Sequence, residues 1–170
     1  ITEALFAGAD TVRRRRWAVL VSIGIFFSGV FVSSGLMAYS ADFKEFYVPQ
    51  DSATQENFES WKNGGFEQRS DDQSSAMTAF YASNNPKVSI VMNAVGAVSF
   101  GTLTSAMLWM NGTMLGALSS EMSGVGKLGF LLTSIVPHGV TEMGGIFMAG
   151  AGGLIMGAAL IRPGNRSRGQ

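Results

Sequence analysis

WAVLVSIGIFFSGVFVSSGLMAYSA, residues Trp17 to Ala41, runs for 25 residues without Asp, Glu, Lys, Arg or His. A helix needs roughly 20 apolar residues to cross a hydrocarbon core, so this stretch predicts a membrane span. A second uncharged run of 33 residues extends from Val88 to Ser120. After Lys127 the apolar character resumes and reaches Ile161, interrupted only by His138 and Glu142. The charged fraction is 14%, with the charges gathered in a few segments, which fits a polytopic membrane protein.

Charge placement predicts the orientation. Arg13, Arg14, Arg15 and Arg16 abut the first run, and Arg162, Arg166 and Arg168 follow the last. Basic flanks favour the cytoplasm, so both ends are expected there. Between Asp42 and Pro86 lie eight acids and three bases, which assigns that segment to the outside. A cleaved signal peptide is the alternative for the first run. Its apolar part exceeds the roughly 7 to 15 residues such peptides use, so it reads as a retained anchor. The chain begins at Ile1 rather than Met, the mark of a processed chain or an excerpt.

Ends on one side require an even number of crossings. The expected architecture is all-α, a transmembrane helical bundle of about four crossings with an outer loop of roughly 45 residues. The basic segment 1–16 precedes the membrane domain 17–161, which includes outer loop 42–86, and a basic tail 162–170 follows. The crossings are predicted over Trp17–Tyr39, Val88–Trp109, Thr113–Val136 and Gly139–Ile161. Asn111-Gly112 is read as the cytoplasmic turn and Pro137 as the break before the last helix. Glu121 and Lys127, set among Gly124, Gly126 and Gly129, interrupt the third span. A broken or re-entrant pair of half-helices is the alternative there. Within the loop, Asp51 to Lys62 and Gln73 to Ser83 read as short helices. Their aromatics Phe58, Trp61, Phe80 and Tyr81 are expected at the membrane interface.

Small residues recur every four positions in two places. Gly145, Ala149, Gly153 and Gly157 mark the last helix, and Asn93, Ala97, Gly101 and Ser105 mark the second. Such stripes let helix backbones approach closely in lipid, within the chain or between copies in a homo-oligomer. Asn93 adds a polar group that can act as more than packing.

The intramembrane ionisable residues are the functional candidates. His138 and Glu142 stand four apart, one turn of helix, and share a face. Two readings stay open for them: a structural lock at the Pro137-His138-Gly139 junction, or handling of an ion, proton or substrate. Metal-dependent intramembrane proteolysis needs two histidines about a Glu, and the chain has one histidine. No Gly-x-Ser-x-Gly elbow accompanies a serine nucleophile. The absence of cysteine removes thiolate metal sites and disulfides. Net charge is zero, giving no electrostatic case for nucleic acid. No cofactor or enzymatic activity is expected.

Several motifs together resemble the stage II sporulation protein M family: Asn84-Asn85, Asn93-Ala94-Val95-Gly96, Asn111-Gly112 with Leu115-Gly116, and Pro137-His138-Gly139-Val140-Thr141-Glu142 leading into Ala149-Gly150-Ala151-Gly152-Gly153-Leu154. The resemblance covers about Asn84 to Ile161. It implies a polytopic membrane protein without known catalytic activity. In spore formers it implies a membrane partner of cell-wall hydrolases, the stage II sporulation proteins D and P, during engulfment. The expected function is therefore a scaffold for other membrane or envelope proteins. A transporter or channel-like component using His138 and Glu142 is the competing expectation.

Overall fold

A computed structural model describes residues 13–48, 52–63 and 87–162; within these, the side chains of residues 53, 54 and 136–141 lie outside the description. The described residues are helical and contain no strand. We number the helices α1 (Arg16–Tyr39), α2 (Ala41–Tyr47), α3 (Ala53–Lys62), α4 (Lys87–Val98), α5 (Thr102–Gly124) and α6 (Leu128–Ile161). The expected loop helix over Gln73 to Ser83 falls outside the described residues. By length and composition, α1 and the Glu142–Ile161 part of α6 can each cross a membrane. The 24 residues of α1 rise roughly 36 Å, more than the hydrocarbon thickness.

The helix ends differ from the sequence expectation. Asn111-Gly112 is not a turn but lies inside α5. Asn111 satisfies its own amide by donating from Nδ2 to the Met107 carbonyl at 2.8 Å. Gly112 is buried against α1, where a Cβ would run into the Phe26 carbonyl. Local turn propensity has yielded to helix packing. The turn falls instead at Ser99-Phe100-Gly101, where Phe100 and Gly101 take positive φ of 55° and 88°. Ser99 Oγ accepts from the Leu103 amide at 3.1 Å, which satisfies one of the first free donors of α5. The expected second span therefore ends at Val98, and the stripe Asn93, Ala97, Gly101, Ser105 is divided between two helices and a turn.

Pro137 does not end a helix either. The backbone of α6 is helical from Leu128 through Ile161. A proline inside a membrane helix is tolerated when neighbouring groups satisfy the freed carbonyl. The reversal occurs earlier, at Val125-Gly126-Lys127. There the Lys127 amide reaches the Met122 carbonyl at 2.8 Å and the Gly126 amide reaches the Ser123 carbonyl at 3.0 Å. These two bonds make a Schellman cap with Gly126 at φ 71° in the left-handed position. Gly126→Ala should cost about 1 kcal/mol through that φ alone, since a Cβ there meets open space. A thermal melt of the detergent-solubilised protein measures it, and an unchanged melt would remove this turn as the constraint.

Contacts fix the helix directions. Phe26 meets Gly112, Gly29 meets the Thr113 amide, and Val30 and Ser33 meet Gly116. Residue numbers rise together along α1 and α5, so these helices run parallel. Ser34 Oγ ties them by donating to the Gly116 carbonyl at 2.8 Å. Along α6 the order inverts: Gly150 lies against Leu108, Gly153 against Thr104, and Gly157 against Gly101. Helix α6 is therefore antiparallel to α5. The α4–α5 hairpin is held by Thr104 Oγ1, which donates to the Met92 carbonyl at 2.7 Å from a fully buried position. Gly153 sits at that hydrogen bond, wedged against both partners.

Two cores result. The inner one gathers Met92, Leu108 and Ala149 from three helices. The outer one joins Met37, Ala117, Leu118, Met122 and Leu131 of the bundle to Val48 and Phe58 of the loop. Helix α3 forms from Ala53 within the stretch expected to be helical, with Ser52 Oγ accepting from the Gln55 amide at 3.1 Å. Its aromatics were expected at a membrane interface. They face protein instead: Phe58 is 3% exposed and Trp61 packs against the outer core.

Candidate functional site

The loop helices meet the bundle at one buried carboxylate. Helix α5 turns Ala117, Leu118 and Met122 into the outer core, and the same face carries Glu121 in the last turn. Its side chain is 7% exposed. Burying a charge this far requires partners. Oε1 pairs with Lys44 Nζ of α2 at 2.8 Å and Oε2 with Lys62 Nζ of α3 at 2.6 Å. Lys62 also holds Glu59 Oε1 at 2.8 Å, one turn back on its own helix. Lys127 Nζ donates to the Lys62 carbonyl, supplying a cation at the C-terminal end of α3 where the helix dipole favours one. Each carboxylate oxygen of Glu121 thus meets an ammonium from a different loop helix.

The two lysines are not equivalent. Lys44 is 55% exposed at its side chain and Lys62 18%. A solvent-screened pair contributes about 0 to 1 kcal/mol, whereas removing a partner from a buried pair costs about 3 to 5 kcal/mol. Lys62 therefore carries most of the clamp. Burial alone pushes its ammonium down, but hydrogen bonds and charges from Glu121 and Glu59 outweigh this and raise its pKa above the ordinary lysine value. A raised lysine contributes stability that is fully present below the unfolded value and lost as pH climbs through the folded one. A nitroxide at Glu56→Cys should keep its mobility near neutrality and loosen only once pH passes 10.5, the ordinary lysine value. The loosening should shrink in Lys62→Arg, whose guanidinium stays charged. Equal alkaline loosening in both proteins would count against the clamp.

Of the residues singled out by sequence, Glu121 and Lys127 come together in this cluster. Expected to interrupt a span, they lie instead at the loop end of the bundle. Lys44, Lys62 and Glu59 were missed, and the available signal was that two of the three bases of the acidic loop lie on its helices. Asn93 donates from Nδ2 to the Ser89 carbonyl at 2.9 Å and turns Oδ1 toward Gly152, so its polar side chain lies at the α4–α6 crossing. Ala149, Gly153 and Gly157 are buried on α6, while Gly145 faces open space. Ser105 Oγ donates back to the Gly101 carbonyl at 3.0 Å. Glu142 is exposed on α6, far from Glu121's cluster along the chain. The side chains of Pro137 and His138, and the surroundings of Gly139, lie outside the described residues.

The geometry is that of a clamp. Glu121 is saturated by two ammonium groups that hold the loop helices to the bundle. No curated protein and no solved structure matches the chain. The family model described as stage II sporulation protein M matches residues 18–170, taking in α1 and the loop helices as well as the motifs after Asn84. The chain therefore belongs to the stage II sporulation protein M family and, with it, to the sporulation-related membrane proteins.

Proposed function

We propose that the protein is a non-enzymatic, multi-pass scaffold that offers a fixed outer platform to envelope proteins, with cell-wall hydrolases as the partners in spore-forming cells. The observation that carries this reading is the Glu121 clamp. A loop that served only as a connection would not need two lysines on one buried carboxylate and Phe58 and Val48 in the bundle core. Held this way, α2 and α3 form a surface of set shape, which lowers the entropy a partner's binding must overcome.

The bundle directions support four passes. Helices α1 and α5 run one way and α6 the other, and α4 pairs with α5 as a hairpin. With Arg13 to Arg16 at the start of α1 and Arg162 after α6, this order agrees with both ends being cytoplasmic under the positive-inside rule. The platform then faces outward. A photocrosslinker at Glu56, exposed on α3, should capture extracytoplasmic envelope proteins in sporulating cells. Capture of none would overturn the scaffold.

The competing reading is a transport component, and it draws on Glu142, an ionisable residue exposed partway along α6. Purified protein in liposomes decides between them. A solute or ion flux abolished by Glu142→Gln or His138→Ala would replace the scaffold with a transporter.

A further inference from the structure

The short helix after the first span has three flanks, one turned to the protein, one acidic and one aromatic. Residues three apart share a side of a helix. On α2, Lys44 and Tyr47 turn to the protein, Lys44 onto Glu121 and Tyr47 onto the outer core. Asp42 and Glu45 share a second, exposed flank. Phe43 and Phe46 share the third, at 38% and 73% exposure. Tyr39, the last residue of α1, is 86% exposed beside them.

The depth of α2 follows from the clamp. Helices α1 and α5 run parallel, and Ser34 bonds Gly116 across them. Five residues further along each helix stand Tyr39 and Glu121, which therefore lie at one level. Lys44 is fastened to Glu121. Helix α2 is thus held at the height where α1 ends instead of standing out into solvent. Ser40 makes the bend: its backbone is extended, at φ −147° and ψ 140°, and its Oγ accepts from the Asp42 amide at 3.2 Å.

We infer that α2 is an interfacial helix whose Tyr39, Phe43 and Phe46 sit in the headgroup region of the outer leaflet. Asp42 and Glu45 keep to the water side. This rests on the reading of α1 as a membrane span. Amphipathic aromatic surfaces partition to the boundary between headgroups and acyl chains, and a helix lying there buries its apolar side by about 5 to 10 Å. The occupant of the aromatic flank is lipid. Continuity with the end of α1 and separation of the acids from the aromatics argue for it over a protein partner. The Lys44–Glu121 pair then couples two events, seating of the loop on the bundle and seating of α2 in the leaflet.

The chain has no cysteine, so single-cysteine spin labels report unambiguously. Full-length protein would be labelled at Phe43→Cys, Phe46→Cys, Glu45→Cys and Phe31→Cys and reconstituted into phosphatidylethanolamine–phosphatidylglycerol vesicles. Collision with oxygen, which concentrates in lipid, would be compared with collision with a water-soluble nickel chelate. Labels at 43 and 46 should give an oxygen-to-nickel ratio several-fold above that at 45 and below that at 31, on the exposed side of α1. Ratios at 43 and 46 equal to that at 45 would overturn the interfacial helix while α1 stays in the membrane. Exclusion of both reagents at 43 and 46 would overturn it in favour of a protein cover. A water-like ratio at 31 would sink the spanning reading and this inference with it.

Discussion

Glu121→Ala should detach the loop helices α2 and α3 from the bundle. The substitution leaves Lys62 with only Glu59, its own helix neighbour, and empties the position where α2, α3 and α5 meet. Removing one member of a buried ion pair costs about 3 to 5 kcal/mol. Screening at the exposed Lys44 lowers its share, so Lys62→Ala should approach the effect of Glu121→Ala and Lys44→Ala should cost no more than about 1 kcal/mol. Limited proteolysis on intact vesicles is the measurement. Cleavage after Lys62 should accelerate strongly in Glu121→Ala while the helical signal of the bundle persists. Equal cleavage rates in the wild type and Glu121→Ala would show that Val48 and Phe58 hold the loop without the charges. Glu121→Gln separates charge from shape, since it keeps the volume and loses the pairing; it should resemble Glu121→Ala in loop release.

Gly112→Ala is expected to damage the bundle itself. An added methyl at position 112 would strike the Phe26 carbonyl, and backbone cannot swing aside as a side chain can. Forcing extra atoms into a packed contact costs about 1 to 3 kcal/mol, and the loss here extends along the α1–α5 contact toward Gly116 and the Ser34 hydrogen bond. Gly24→Ala and Gly35→Ala on the same α1 helix meet open space and should stabilise it slightly, by up to about 1 kcal/mol of helix propensity. Thermal melts followed by size-exclusion chromatography compare all three. A Gly112→Ala protein as stable as Gly24→Ala would mean that α1 and α5 do not cross at this point. Methyl groups are thus predicted to act in opposite directions at glycines that look alike in sequence.

That contrast explains what could be read early. Uncharged runs announced helices long enough for a membrane, and α1 matches the first of them almost residue for residue. The small residues of the last helix announced a packing face, and Ala149, Gly153 and Gly157 lie on one. A further stripe lies on α1: the small residues Ala18, Ser22, Gly29 and Ser33 are all buried, together with Phe26 and Met37. The ends of the later helices were misread because Gly is ambiguous. Gly112 follows Asn111 and Gly126 follows Val125, yet the first sits at a helix crossing and the second in a left-handed cap, the reverse of what their neighbours suggest. What lies across from a glycine decides which role it takes, and that partner is not adjacent in sequence.

The site shows the same division. Glu121 and Lys127 were legible as charges needing an explanation, because ionisable groups among apolar residues are costly. The explanation lay in Lys44 and Lys62, brought up from the loop. Apolar length, charge asymmetry and the family motifs are local properties, so sequence alone determined the helical class, the first membrane-length helix and the family. Tertiary structure decided the turns, the helix directions and the Glu121 clamp. Those depend on close approach between segments tens of residues apart, where the absence of a single Cβ or the reach of one ammonium group selects the arrangement.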